Sequence, residues 1–310
     1  MSTPSNAAHE SSLGPQSRSS VIAAMRPMYW SVRRELWENR LLYLAPLSAA
    51  AVFLVAYLIS ILALPGHRMT TVLTLAPAQQ RAQIELPYEI VAALIMGTAL
   101  LVGIFYSLDA LYGERRDRSI LFWKSLPVSD LTVVLSKLSI PLVVIPLLSF
   151  AITMVTQFTM LLLGSAVLLG SGANLASLWA HGAFFRVSID IFYHMLTVHG
   201  LWYAPMYGYL LFISVVAPRA PFILAVLPPF VICVVEGLAF KTSHFAHMLL
   251  SRMAGPSAPA ATMPGPAPTD LMSTLIPHHF FSQPGLWIGL AVTAVFVAIA
   301  VRLRRYRGPI

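Results

Sequence analysis

Long apolar runs separated by short polar segments dominate the sequence. A helix needs about 20 apolar residues to cross roughly 30 Å of hydrocarbon, and six runs approach that length. They lie near residues 41–64, 88–109, 138–163, 191–216, 220–240 and 286–303. The first is the clearest, because residues 41–66 contain no Asp, Glu, Lys, Arg or His. The pattern predicts an all-α membrane protein with six transmembrane helices.

The composition agrees with this prediction. The chain is 57% hydrophobic and only 10% charged, with a mean hydropathy of +0.75, far from the balance of a soluble domain. The one cysteine, Cys233, falls in the fifth predicted span, so no intrachain disulfide is expected. The sequence contains neither a phosphate-binding loop nor a His-Glu-x-x-His motif. We therefore expect no catalytic residue, no metal site and no nucleotide site in this chain.

The polar segments outside the spans divide the rest of the chain. Residues 1–20 are polar without an apolar stretch, which predicts a disordered tail rather than a signal peptide. Residues 21–40 alternate apolar and charged positions at helical spacing, which predicts an amphipathic helix lying in the membrane interface. The six-helix domain then occupies 41–305. Its longest predicted outer loop is 241–285, with a Pro-rich middle.

The distribution of basic residues predicts the orientation. With the N-terminus inside, fifteen of the 20 Lys and Arg residues fall in inner segments. The five in outer segments are Arg68, Arg81, Arg186, Lys241 and Arg252. The positive-inside rule then places both termini in the cytoplasm. The net charge of +8 is better explained by anionic lipid of the inner leaflet than by a nucleic acid.

A charged connector, residues 108–130, joins the second and third spans. Charged residues 114–118 precede the apolar run 120–123, and Ser129 is placed to cap the next helix. Exposed aromatic side chains beside charges favour a docking surface for another protein. The alternative is an interfacial helix whose aromatic side chains lie among lipid headgroups.

Ionisable residues inside the predicted spans are the other candidates for function. Glu236 falls in the fifth span, and His194 and His199 fall in the fourth. Such groups need a partner or a water-filled cavity. In one interpretation they line a polar pathway or gate. In the other they only pair with polar side chains of neighbouring helices. In the first case an ion-coupled carrier or an intramembrane enzyme using Glu236 and the outer histidines becomes the alternative function.

The connector sequence GERRDRSILFWKSLPVSDLTVVLSKL, residues 113–138, resembles the corresponding segment of ABC-2 type permease subunits of bacterial ABC transporters. Many members of that family carry a Glu-Arg-x-x-Gly/Ser-x-Leu motif followed by Leu-Pro-Val-Ser at this place. The interfacial helix and the six spans are also similar, over about residues 21–305. The specific motif covers only the connector.

The resemblance implies a subunit that forms a transport path and performs no covalent chemistry. The connector is then a cytoplasmic coupling helix that docks on a separate ATPase, which binds ATP and Mg²⁺. The implied docking residues are Glu114, Arg115, Arg116, Ile120, Phe122, Trp123 and Lys124. The complete path needs two such subunits, either a homodimer or this chain with a paralogous permease. Export across the bacterial inner membrane is the implied activity.

Overall fold

The computed structural model describes residues 16–63, 77–125, 128–170, 183–255, 280–308 and 310. Most of the predicted tail and the Pro-rich middle of the outer loop therefore lie outside the described residues. Within them, the first helix begins at Gln16 and ends at Glu38, slightly earlier than the interfacial helix predicted for 21–40. A further helix occupies the start of the predicted outer loop, at His244–Ala254.

Helices and short turns make up the described chain, which contains no strand in these ranges. In chain order the α-helices are α1 (Gln16–Glu38), α2 (Leu41–Ala63), α3 (Pro77–Asp109), α4 (Tyr112–Arg116), α5 (Ile120–Ser125), α6 (Asp130–Ser139), α7 (Ile145–Gly170), α8 (Ala183–His194), α9 (Ala204–Val216), α10 (Pro221–Val235), α11 (His244–Ala254) and α12 (Pro284–Tyr306). Wider π-helical turns follow α6, α8 and α10 at Ile140–Val144, Met195–Trp202 and Glu236–Phe240, and a 3₁₀ turn, Phe280–Ser282, precedes α12.

Five helical stretches of the described chain are long and apolar enough to cross a membrane. They are Leu41–Ala63, Glu85–Arg116, Asp130–Val167, Pro221–Phe240 and Pro284–Tyr306. The predicted class, an all-α multi-pass membrane protein, agrees with this. The fourth predicted span, 191–216, is not one regular helix. It consists of the end of α8, a π-helical segment and the shorter apolar helix α9.

Proline accounts for part of this division. Pro205 lies in the first turn of α9, where its missing N–H is tolerated because the first helical amides have no partner within the helix. Tyr203, the residue just before α9, departs from helical geometry, with φ −83° and ψ 0°. A new helix therefore starts here instead of continuing the previous one. The six-helix layout stays a prediction, with α9 as its shortest member.

The helices pack around two hydrophobic clusters. One is built mainly by α3, α6, α9 and α12, and Tyr207 and Ile140 are among its fully buried members. The other is built by α2, α3, α7 and α8, around Ile95 and Met160. The α9–α12 pair has the most extensive packing in the described structure. Helix α3 contributes to both clusters and packs against α2, α7 and α9.

Helices α2 and α10 present most of their apolar surface outward. Only 11% of the most apolar stretch of α2 and 6% of that of α10 is buried within the chain. A helix pairs most of its backbone groups internally, so such surfaces are compatible with lipid contact. They are equally available to another membrane helix.

Candidate functional site: the connector and its buried charges

Two short helices, α4 and α5, form the connector between α3 and α6. The chain turns between them at Arg118, which has the left-handed φ of 60°. Helix α6 then begins as predicted, because the hydroxyl of Ser129 accepts a hydrogen bond of 3.1 Å from the Thr132 amide. The connector, α1 and the C-terminal residues after α12 lie together, and we refer to this region as the connector end of the bundle.

Five charged side chains meet beneath the connector, four of them buried and Asp130 partly exposed, and we call them the buried charge cluster. They are Glu35, Glu114, Asp130, Lys137 and Arg304. Lys137 Nζ lies 2.7 Å from Glu35 Oε1 and 3.2 Å from Glu114 Oε1. Arg304 Nη2 lies 3.1 Å from Glu114 Oε2, and Arg304 also pairs with Asp130. Glu114 therefore bridges the two cations.

The cluster joins the ends of helices that are far apart in the sequence. Glu35 belongs to α1, Glu114 to α4, Asp130 and Lys137 to α6, and Arg304 to α12. The hydroxyl of Tyr106, in α3, donates a further hydrogen bond of 2.9 Å to Glu35. A buried charge without a partner is strongly destabilising. The cluster consequently favours one arrangement of these five helix ends over others.

Hydrogen bonds also fasten the connector to the end of α9. The guanidinium of Arg115 donates to the carbonyl oxygens of Val215, at 2.5 Å, and Ala217, at 3.2 Å. The hydroxyl of Ser214 accepts from the amides of Leu111 and Tyr112, at 2.9 and 2.8 Å. These contacts satisfy backbone groups that would otherwise be buried without partners. Helix α4 is thus held by the buried charge cluster and by hydrogen bonds to the end of α9.

The predicted docking residues divide into two groups. Glu114, Arg115 and Ile120 are buried, and in this conformation their side chains contact other parts of the same chain. Their direct contact with a partner stays untested. The side chains of Arg116, Phe122 and Lys124 are exposed.

Trp123 and Lys124 are also engaged within the chain. The guanidinium of Arg34 lies 4.4 Å from the ring centroid of Trp123, a cation–π contact. Lys124 Nζ donates to the carbonyl oxygens of Arg305 and Arg307, at 3.4 and 2.9 Å. These contacts hold one side of α5 against α1 and the C-terminal residues.

The opposite side of α5 is open. Leu121 and Phe122 are 57% and 58% exposed, and Leu121 was not among the predicted docking residues. Arg116 lies on the neighbouring helix and donates a 2.9 Å hydrogen bond to Asp117, which lowers the pKa of that carboxyl below its usual value. We call Arg116, Leu121 and Phe122 the connector face. It combines one charge with two large apolar side chains.

The carboxylate of Glu236 accepts hydrogen bonds from the first turn of α11. Its two carboxylate oxygens accept hydrogen bonds of 2.8 Å from the amides of His244 and Phe245. A third bond of 2.9 Å comes from the Thr242 hydroxyl. The amides at a helix N-terminus have no partner within the helix and favour a negative charge. This geometry supports the structural interpretation of Glu236, as a group that secures α11 to the end of α10.

Replacement of Glu236 by alanine is expected to loosen the first turn of α11. Two of its amides lose their acceptor, so their hydrogen exchange should accelerate several-fold while exchange in α9 stays unchanged. Hydrogen–deuterium exchange followed by mass spectrometry measures both helices in one experiment. The nearby variant Lys241→Ala removes a charge but no amide acceptor and serves as the control. Equal exchange in the two variants would contradict this role of Glu236.

His194 and His199 are buried beside each other. Their ring centroids are 5.7 Å apart, and the ring of Tyr203 lies 5.4 Å from that of His199. Only 6% of His194 and 4% of His199 is exposed, so neither faces an open channel in this conformation. The hydrogen bonds of Glu236 lead to Thr242 and to the first turn of α11. In the described residues no group of three or more His, Cys, Asp or Glu side chains is arranged to hold a metal ion.

Sequence reasoning missed the buried charge cluster as a unit. Glu35 falls within the predicted interfacial helix 21–40, and Lys137 and Arg304 are among the fifteen inner basic residues. The available signal was their position, since each lies close to the boundary of an apolar run. Charges at such positions need partners, but the sequence does not specify which.

Protein-family models, curated proteins and solved structures give no match to this chain.

Proposed function

We propose that this chain is the membrane-spanning permease subunit of an ABC-type exporter, and that the connector face docks on a separate ATPase. The observation that supports this best is the construction of the connector. An exposed apolar pair, Leu121 and Phe122, lies on α5. The preceding helix α4 is joined to α6 and α12 through Glu114, and α5 is joined to the C-terminal residues through Lys124.

The proposed mechanism is conformational. ATP and Mg²⁺ bind to the ATPase, and closure of two ATPase subunits displaces α5. Glu114 connects α4 to Lys137 in α6 and to Arg304 in α12, so displacement of the connector acts on these helices together. The bundle then alternates between inward-open and outward-open states. The side chains of this subunit hold and move helices and form no covalent intermediate.

The complete transporter would contain two permease subunits in the bacterial inner membrane, either identical or paralogous. In the described part of the chain, α2 and α10 expose the largest share of their apolar stretches, and these surfaces could serve that association. In this arrangement the connector end and both termini face the cytoplasm, where ATP is present. The predicted excess of inner basic residues supports this orientation.

Truncation of the connector face is expected to release the ATPase. The double variant Leu121→Ala/Phe122→Ala removes two exposed side chains and leaves the cation–π contact of Trp123 in place. Large apolar side chains at the centre of an interface commonly account for most of its affinity, so binding should weaken by about thirtyfold or more. Affinity purification from mild detergent measures the amount of retained ATPase, and ATP hydrolysis is assayed in parallel.

The matched control is Leu101→Ala in α3, because Leu101 is as exposed as Leu121 but lies within a membrane-spanning stretch outside α2 and α10. It should retain the ATPase at the level of the unmodified protein. Purification of the unmodified protein without any ATPase would overturn the proposal. Full retention of an ATPase by the connector double variant would instead overturn the assignment of the connector face.

A further inference from the structure

Helix α1 carries a second surface, distinct from the connector face. Its inward side packs on the bundle through Val32 and Leu36 and is fixed by the ion pair between Glu35 and Lys137. Trp30, Arg33 and Trp37 follow one another at helical spacing on the outward side, and all three are exposed. We call these three residues the α1 stripe.

Arg33 stands between two indole rings. Its guanidinium carbon lies 5.2 Å from the ring centroid of Trp30 and 5.2 Å from that of Trp37. In the described part of the chain no carboxylate forms an ion pair with Arg33. The adjacent Arg34 differs, because it pairs with Glu38 at 2.5 Å and stacks on Trp123. The charge of Arg33 is therefore directed outward and is available to an external anion.

The position of the stripe indicates the kind of anion. Helix α1 ends at Glu38 and the apolar helix α2 begins at Leu41, so the stripe is close to one end of a predicted membrane span. Exposed tryptophan side chains are typical of the headgroup region, where their rings have both apolar and polar surroundings. Arginine binds phosphate oxygens through charge-assisted hydrogen bonds. Anionic lipid also attracts basic residues beside a membrane span.

We propose that the α1 stripe binds the phosphate of an anionic phospholipid, with Arg33 contacting the headgroup and Trp30 and Trp37 inserted on either side of it. The lipid would hold α1 against the membrane while Glu35 holds the same helix to the bundle. Bound lipid would thereby position α1, which also contacts α5 through Arg34 and Trp123. This inference does not depend on a partner ATPase.

The test uses the full chain, purified in detergent and mixed with phosphatidylglycerol or phosphatidylcholine. Native mass spectrometry counts the lipids retained by each variant. Arg33→Gln is expected to weaken phosphatidylglycerol binding about fivefold, since one basic residue near an anionic surface contributes about that factor. Phosphatidylcholine binding should change less, because its choline group compensates the charge of the phosphate. Trp30→Ala/Trp37→Ala, which leaves Arg33 in place, should also weaken phosphatidylglycerol binding.

Arg219→Gln is the matched control, because Arg219 is an exposed arginine in the turn after α9 at the connector end. Unchanged phosphatidylglycerol binding in Arg33→Gln would overturn the proposal. Equal weakening in Arg33→Gln and Arg219→Gln would overturn it too, because the attraction would then be a property of the total charge. Loss of a co-purifying protein, with lipid binding intact, would assign the stripe to a protein partner and contradict the lipid site.

Discussion

Replacing Lys137 with methionine is expected to destabilise the protein by about 3–5 kcal/mol, the range for breaking a buried ion pair from one side. Lys137 is 4% exposed and is shared by Glu35 and Glu114. Methionine has a similar length but no charge, so two carboxylates lose the same cation at once. The free energy of unfolding, measured by titration with a denaturing detergent in mixed micelles, reports the loss.

Two further variants separate charge from packing. Arg116→Met removes a cation whose partners Asp109 and Asp117 are exposed, so its loss should lower the free energy of unfolding far less than the loss of Lys137. In the double variant Lys137→Met/Glu35→Gln, Glu35 is neutral as well, while Glu114 keeps its ion pair with Arg304, so part of the stability should return. Equal stability of Lys137→Met and Arg116→Met would show that the buried charge cluster does not stabilise the bundle.

Replacing Gly289 with alanine is expected to destabilise the contact between α11 and α12 by about 1–3 kcal/mol, the usual cost of overpacking a filled space. A methyl group at Gly289 would overlap the guanidinium of Arg252 and would lie 2.9 Å from Cγ of Pro205. Arg252 stacks over Trp202, with its guanidinium 4.2 Å from the ring centroid, and the Trp202 indole donates to the Arg252 carbonyl oxygen. Displacing Arg252 therefore disturbs the anchor of α11.

The matched control is Gly97→Ala, because Gly97 is also helical but has no atom within 4 Å of the added methyl group. Alanine favours a helix over glycine, so this variant should be neutral or slightly stabilised. In the Arg252→Ala background, Gly289→Ala should cost less, since the guanidinium is absent. The same cost in both backgrounds would show that Pro205, and not Arg252, is the obstacle. Unfolding in mixed micelles again provides the measurement.

The spans were predictable because the membrane imposes a length and a composition on every crossing helix. This requirement is local, so residues 41–64 alone were sufficient to identify α2, which ends at Ala63. The division of the fourth span was harder to foresee. His194 and Trp202 lie in an apolar run that reads as continuous, and the π-helical turns inside it depend on packing against neighbouring helices.

The candidate site was less predictable because its contacts join distant parts of the sequence. Arg304 meets Glu114 across 190 residues, and no local pattern specifies that pair. The different surroundings of two neighbouring aromatic residues in the connector were equally hard to predict. Phe122 and Trp123 were treated as one docking surface, yet Trp123 is covered by Arg34 from another helix while Phe122 is open. Sequence indicated the chemistry of the connector but not the direction of each side chain.

The buried charge cluster also has a consequence for biogenesis. A ribosome makes Glu35 first, then Glu114, Asp130 and Lys137, and Arg304 only after α11. Until α12 is inserted, Glu114 and Asp130 lack this arginine, so the connector is incompletely fixed in the nascent protein. Insertion of α12 then supplies the cation that completes the cluster. Acquisition of the final connector structure is thereby tied to synthesis and insertion of α12.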